Sequence, residues 1–200
     1  QRVPELNVVA PVLFAPWGMS NTAYYKDQTT TPRIQGCTPE YAKVIAPKLY
    51  YGRYINEMDM KEHRKVCVIG KRIYKELFKE GGDPCGKSIR IDSTYYEVIG
   101  VDYASSGGMN INGRAEQKVT LPLTLMQETY NRGQEVDMIV ATGRKGVVMS
   151  KLTDRIRECV TMGHFVDPND EQAAMVFNTE VLFQMLDNLF KGVNFLIWLV

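Results

Sequence analysis

Residues 66–70, Val-Cys-Val-Ile-Gly, make an unbroken apolar run closed by glycine. A run of this length without alternation marks a strand covered on both faces, so the chain must supply packing layers above and below it. One layer follows at once: Ile73, Leu77 and Phe78 recur at helical spacing, with Lys71, Arg72, Lys75 and Glu76 between them. That pattern predicts a short helix with one buried and one wet face. Gly81-Gly82-Asp83-Pro84 stops it, and the Asp83-Pro84-Cys85-Gly86-Lys87 turn opens strands expected over 87–91 and 95–101, joined as a hairpin about Asp92-Ser93-Thr94. Upstream, a Gly52-Arg53 turn leads to Asn56, expected to cap a helix whose first turn holds Glu57 and Asp59, where the helix dipole favours carboxylates. Asp59 therefore reads as a helix-start residue before it reads as a catalytic acid, and His63, closing that helix, as a surface or capping histidine. Gly52, Gly70, Pro84 and Gly86 punctuate the backbone; none belongs to a catalytic motif.

The flanking segments extend the same alternation of strand and helix. A Val-rich strand is expected over 6–14, ending at Ala15-Pro16-Trp17-Gly18, and an extended segment over 22–34. Thr38 is expected as the N-cap of a short helix with Pro39 at its first position, and a short strand over 48–51. After the hairpin, Lys118 to Leu121 resumes the sheet, Pro122 ends it, and 124–130 is a short helix. A strand over 137–142, a Gly143-Arg144-Lys145-Gly146 turn and a helix over 147–160, with Val148, Leu152, Ile156 and Val160 on one face, suggest a βαβ crossover completed by a strand at 174–177. From 179 onward Leu182, Met185, Leu186, Leu189, Val193, Leu196 and Val200 recur at three and four residues, and a helix over 179–200 would be roughly 33 Å long.

Composition excludes several classes of function. With 24 Lys+Arg against 23 Asp+Glu the net charge is +1, which gives no electrostatic footprint for nucleic acid or an anionic membrane. The four cysteines (Cys37, Cys67, Cys85, Cys159) show no C-x-x-C, and the two histidines, His63 and His164, lie far apart. No metal site, cofactor site or catalytic residue is expected. Cys67 and Cys159 are expected as small core residues, and a disulfide, if one forms, cannot be paired from sequence. The glycine-rich stretch at 105–113, SSGGMNING, matches neither G-x-G-x-x-G nor a P-loop and reads as a surface loop. The chain starts at Gln1 with no signal-peptide pattern, and is expected to be cut from something longer. It ends on six apolar residues, 195–200, with Trp198 among them. They read as a transmembrane helix truncated at the bilayer interface, the alternative being a C-terminal helix buried in its own core.

The order GRYI, helix-start Asp, KVCVIG, a helix ending in LF, DPCGK, a hairpin and YEVIGVD over residues 52–102 resembles the extracytoplasmic (periplasmic) core domain of MacB-like and FtsX-like ABC-transporter permeases. VTLPL at 119–123 followed by Gln127, the strand and helix over 137–160, and the long C-terminal helix fit the same family. The resemblance implies a mixed α/β (α+β), two-lobed domain between the first and second transmembrane helices of a four-span permease, facing the periplasm from the inner membrane. Its porter-like βαβ lobe would comprise 1–64 and 145–200 with the stalk helix, and its inserted strand-rich lobe 65–144. It further implies no enzyme activity of its own, ATPase activity residing in a separate domain or subunit. The expected partners are that ABC ATPase, a second permease copy forming a dimer, a periplasmic or outer-membrane partner protein, and the membrane through the flanking helices. Function would be mechanotransmission: ATP-driven motion carried across the membrane to export a substrate. No aromatic cluster or charged pocket legible in the sequence selects the cargo.

Two other readings compete. In one the domain is a membrane-anchored extracytoplasmic module that recruits a partner protein. In the other it is a small α/β enzyme using carboxylates such as Glu57, Asp59 and Asp102, for which no nucleophile, base and orienting group converge.

Overall fold

The computed structural model describes residues 3–16, 21–103, 114–162 and 175–178, together with 185, 186, 188–191 and 193. Ten strands join in one mixed sheet: β1 (Leu6–Phe14), β2 (Ala23–Tyr25), β3 (Gln28–Thr30), β4 (Arg33–Cys37), β5 (Leu49–Gly52), β6 (Val66–Gly70), β7 (Ser88–Ile91), β8 (Thr94–Asp102), β9 (Lys118–Pro122) and β10 (Met138–Gly143). Among the described residues of 3–162 five short α-helices accompany them: α1 (Tyr41–Ile45), α2 (Glu57–Lys61), α3 (Lys71–Leu77), α4 (Leu123–Thr129) and α5 (Thr153–Thr161). The strand order is β10-β1-β4-β9-β6-β8-β7-β2-β3, with β5 also on β8.

The apolar run at 66–70 is β6, inside the sheet, parallel to β8 and antiparallel to β9, and all five of its residues are buried. Its side chains divide by parity, as a strand's must. Cys67 and Ile69 enter a core with Leu13, Ile34, Ile73, Leu77, Ile89, Val98, Leu121 and Met126. Val66 and Val68 enter a second, with Ala10, Val12, Cys37, Tyr41, Ile55 and Ile99. Helices α3 and α4 supply the first layer through Ile73, Leu77, Leu123, Leu125 and Met126. Segment 41–55 supplies much of the second through Tyr41 and Ile55. Helix α4 lies close on β4 because position 36 is glycine: a Cβ there would sit 2.8 Å from Met126 Cβ and 3.3 Å from the Leu123 backbone.

The hairpin forms where expected. Ile91 pairs with Thr94, leaving Asp92-Ser93 as a two-residue turn with Asp92 at φ 52°, a left-handed conformation that aspartate tolerates. Asn56 and Asp59 cap α2 reciprocally, each side chain accepting from the other's backbone N–H at 3.0 Å. The mixed α/β class and the strand at Leu6–Phe14 are as the sequence predicts.

Elsewhere local expectations give way. The extended segment over 22–34 breaks into β2, β3 and the start of β4, the chain reversing through Lys26 at φ 50°. The cap position of α1 is Glu40, not Thr38, and it makes no side-chain cap bond; the chain turns through Pro39 and Glu40, with the Thr38 carbonyl accepting from Tyr41 N–H at 3.0 Å. The helix expected over 147–160 begins at Thr153, preceded by a 3₁₀ turn over Met149–Leu152: Val148 keeps an extended backbone and is exposed, so the first two members of the four-residue apolar step, Val148 and Leu152, both precede the α-helix. At 175–177 the backbone forms no strand, so the βαβ crossover is not completed at those residues.

By contacts the chain forms two compact units, residues 8–141 and residues 1–7 with 142–200. The sheet core belongs to the first. In the second, Arg155 Nη1 holds Glu5 Oε1 at 2.6 Å and Arg144 N–H donates to the Glu5 carbonyl at 2.9 Å. The glycine-rich stretch at 105–113, the apolar residues 195–200 and His164 lie outside the described residues, as does most of the helix expected over 179–200. Its described residues 185, 186, 188–191 and 193 are helical and exposed. Among the described residues no helix is long and apolar enough to cross a membrane.

Candidate functional site

The Gly52-Arg53 turn is tied to β8 by Arg53 N–H, which donates to the Ile99 carbonyl at 2.8 Å. From that anchor the Arg53 guanidinium forks onto Asp59, Nη1 to Oδ2 at 2.5 Å and Nη2 to Oδ1 at 2.9 Å, while Nη1 also donates to the Tyr54 carbonyl at 3.0 Å. Arg64 Nη1 approaches Asp59 Oδ1 at 3.8 Å. Burial pushes the Asp59 carboxyl up, but hydrogen bonds from Arg53 and the Asn56 N–H, with the charges of Arg53 and Arg64, outweigh it and hold the group below the ordinary 3.8. Three of the carboxylate's roughly four lone-pair sites accept hydrogen bonds and its side chain is fully buried, so it is out of reach of a substrate proton. Asp59 is a structural pin between a turn and a helix.

The other carboxylates raised by the sequence do not join it. Asp102, at the end of β8, accepts from Lys48 N–H at 3.0 Å. Glu57 is exposed and lines an open cleft of about 440 Å³ with Thr38, Glu40, Met60, Lys61, His63 and Thr124. Two of its polar groups have local duties: Thr124 Oγ1 donates to the Met60 carbonyl at 2.8 Å, and His63 Nδ1 lies 3.0 Å from Glu128 Oε2 on the surface. No nucleophile faces a base there.

All four cysteines are free. Burial pushes the Cys37 thiol up to about 12 and the Cys67 thiol up as well, and burial with the neighbouring Asp83 raises Cys85 to about 11. These thiols stay protonated and unreactive. Among the described residues no group of His, Cys, Asp and Glu side chains could hold a metal ion.

What sequence reasoning missed is aromatic. Tyr25, Phe78, Tyr74, Tyr103, Tyr50 and Tyr51 form a continuous chain of ring contacts, with Tyr25–Phe78 centroids at 4.3 Å and Tyr50–Tyr103 at 4.5 Å. Lys71 Nζ sits 5.0 Å over the Tyr103 ring. Burial, then the neighbouring Tyr51, pushes the Tyr74 hydroxyl up to about 12. These rings come from β2, β5, α3 and the end of β8, and no window of sequence holds them together. Only the strand order does.

The described residues thus form a mixed sheet packed on both faces, and among them no His, Cys, Asp and Glu side chains gather as a metal centre. The chain belongs to the MacB-like periplasmic core domain family, whose pattern it matches over residues 1–158.

Among its relatives, the macrolide export ATP-binding/permease protein MacB of Bdellovibrio bacteriovorus is 24% identical over 174 residues, covering 86% of this chain and 26% of that protein. The MacB of Syntrophobacter fumaroxidans is 35% identical over 88 residues, covering 44% and 12%. The chain thus spans about a quarter or less of the length of these curated relatives. The periplasmic region of MacB from Actinobacillus actinomycetemcomitans superposes with a TM-score of 0.74 at 18% identity, covering 93% of this chain and 78% of that one. The extracellular domain of the Gram-positive transporter YknZ does so at 0.68 and 18%, covering 83% and 80%. Those likenesses establish the fold. The chain is therefore a MacB-like periplasmic domain of an ABC-transporter permease, sited on the periplasmic side of the membrane.

Proposed function

We propose that the domain transmits ATP-driven motion across the membrane to extrude a substrate, and has no active site of its own. The observation that carries this reading is the double-faced core around β6, with both alternating side-chain sets buried. A sheet packed this way moves as one body, because close-packed interiors deform little. In this reading ATP binding and hydrolysis belong to a separate ABC ATPase domain or subunit. The helix over 179–200 is the stalk into the second membrane span, and a porter-like lobe uses both ends of the chain. Two permease copies work against each other, with a periplasmic or outer-membrane protein receiving the cargo. Relatives named for export of macrolides and of pyoverdine point to a small organic molecule as that cargo.

The test uses the full-length transporter, with spin labels on the exposed faces of the two domain copies. Distance distributions that shift between nucleotide-free and ATP-bound states support transmission. Distributions that stay identical, while ATP is bound and hydrolysed, sink it.

A further inference from the structure

The solvent face of the β7–β8 hairpin holds a two-by-two block of side chains fixed by register. Ser88 pairs with Glu97, and Arg90 pairs with Tyr95. All four are exposed, Tyr95 at 62%, while Ile89, Ile91, Tyr96 and Val98 point into the core. Arg90 also pairs in register with Tyr24 of β2, and its guanidinium lies 4.4 Å over that ring. Among the described residues neither Arg90 nor Glu97 forms an ion pair. An arginine stacked on an aromatic ring is preorganised for a carboxylate, and this one has none among the described residues.

We propose that this block is a contact surface for a second copy of the same chain, Arg90 of each copy meeting Glu97 of the other. The argument is charge complementarity. The block holds one cation and one anion on a diagonal, so it can satisfy itself, whereas a face for an acidic or basic partner would carry one sign. Face-to-face contact of identical surfaces places the two-fold axis in the plane between them. An axis along either strand or across them sets Arg90 over Tyr95 or Ser88. An axis along the Arg90–Glu97 diagonal sets each charge over its own kind. Only the axis along the Ser88–Tyr95 diagonal sets both arginines over both glutamates, and it brings Tyr95 onto Tyr95 and the small Ser88 onto Ser88. The block is about 4.8 Å across the strands and about 6.8 Å along them, so the strands of the two copies then cross at about 70°. The patch is small beside the roughly 1,200 Å² that a free-standing dimer buries. The contact therefore depends on tethering in the membrane, which raises the effective concentration of one copy at the other. The inference rests on the proposed pairing of two permeases and names the face that pairs.

The experiment uses the full-length permease with Cys85 and Cys159 replaced by serine and Tyr95→Cys added on the axis. Mild oxidation is followed by a non-reducing gel, and the oligomeric state is measured separately by light scattering. A disulfide-linked dimer is expected, its yield falling about tenfold with Arg90→Glu and returning when Glu97→Arg is combined with it. A permease that scatters as a dimer yet forms no Tyr95→Cys crosslink, or whose crosslink ignores both charge changes, overturns the assignment of this face while leaving permease pairing intact. A permease that is monomeric in a membrane mimic overturns both.

Discussion

Asp59 shows how much one side chain can hold without doing chemistry. Its carboxylate is fully buried and joins the turn at Arg53 to the start of α2. Removing one partner of such a pair strands the other charge, so Asp59→Asn is expected to cost roughly 2–4 kcal/mol at pH 7, read as a lower urea midpoint at unchanged slope. The pH dependence has a definite sign. The folded pKa is depressed below the ordinary 3.8, so the stabilisation is complete above about pH 5 and is lost as pH falls through the lowered value. The gap between wild type and Asp59→Asn should therefore close in acid; a constant gap from pH 7 to pH 2.5 would show that the carboxylate's charge is not what stabilises. Gly100 is a second pin of a different kind. A methyl there would overlap the Arg53 carbonyl oxygen, and Arg53 cannot retreat because its N–H is bonded to Ile99. Gly100→Ala is expected to destabilise by about 3 kcal/mol or more, measurable in the same urea titration.

Element by element, the physics sorts what could be read in advance from what could not. β6 was legible because its run is apolar on both parities, and α2 because Asn56, Glu57 and Asp59 occupy positions with a local electrostatic meaning. The hairpin was legible because a two-residue turn is a local event. The start of α5 was not: Val148 continues the helical spacing but stays in an extended backbone, a choice made by surroundings and not by its neighbours in sequence. The break at Lys26 and the assembly of six aromatic rings were hidden for the same reason. Each depends on which strands lie side by side, and a parallel pairing such as β4 with β9 carries no local signature. As for the candidate site, Arg53, Asp59 and Glu57 were all visible as residue types, but only coordinates show that Asp59's oxygens are already taken. The contrast between elements is testable. Ile69, fully buried on β6, should cost about 3–4 kcal/mol as Ile69→Ala through transfer and cavity terms, whereas Tyr95→Ala on the wet face of β8 should stay within about 0.5 kcal/mol. Comparable losses at the two sites would contradict the assignment of faces.

At the scale of the molecule, the division of contacts makes a claim about autonomy. Among the described residues every member of both hydrophobic clusters lies between Ala10 and Val140, inside the unit of residues 8–141. The sheet's stability should therefore be intrinsic to that unit. Because β1 starts at Leu6 and β10 ends at Gly143, a cut at the unit's own limits would truncate two strands; a fragment of residues 3–145 keeps both whole. It is expected to unfold in a single cooperative transition, with a urea midpoint within about 0.5 M of that of the 200-residue chain, since midpoint tracks stability when the exposed area is little changed. A two-state transition in the fragment would mean that residues 146–200 can be displaced without loosening the sheet, as a lever attached to a stiff body requires. A fragment that has lost cooperativity, or that unfolds far earlier, would make those residues part of the core's own stability. Motion of those residues would then deform the sheet instead of carrying it, and the proposed transmission by a rigid body would fall.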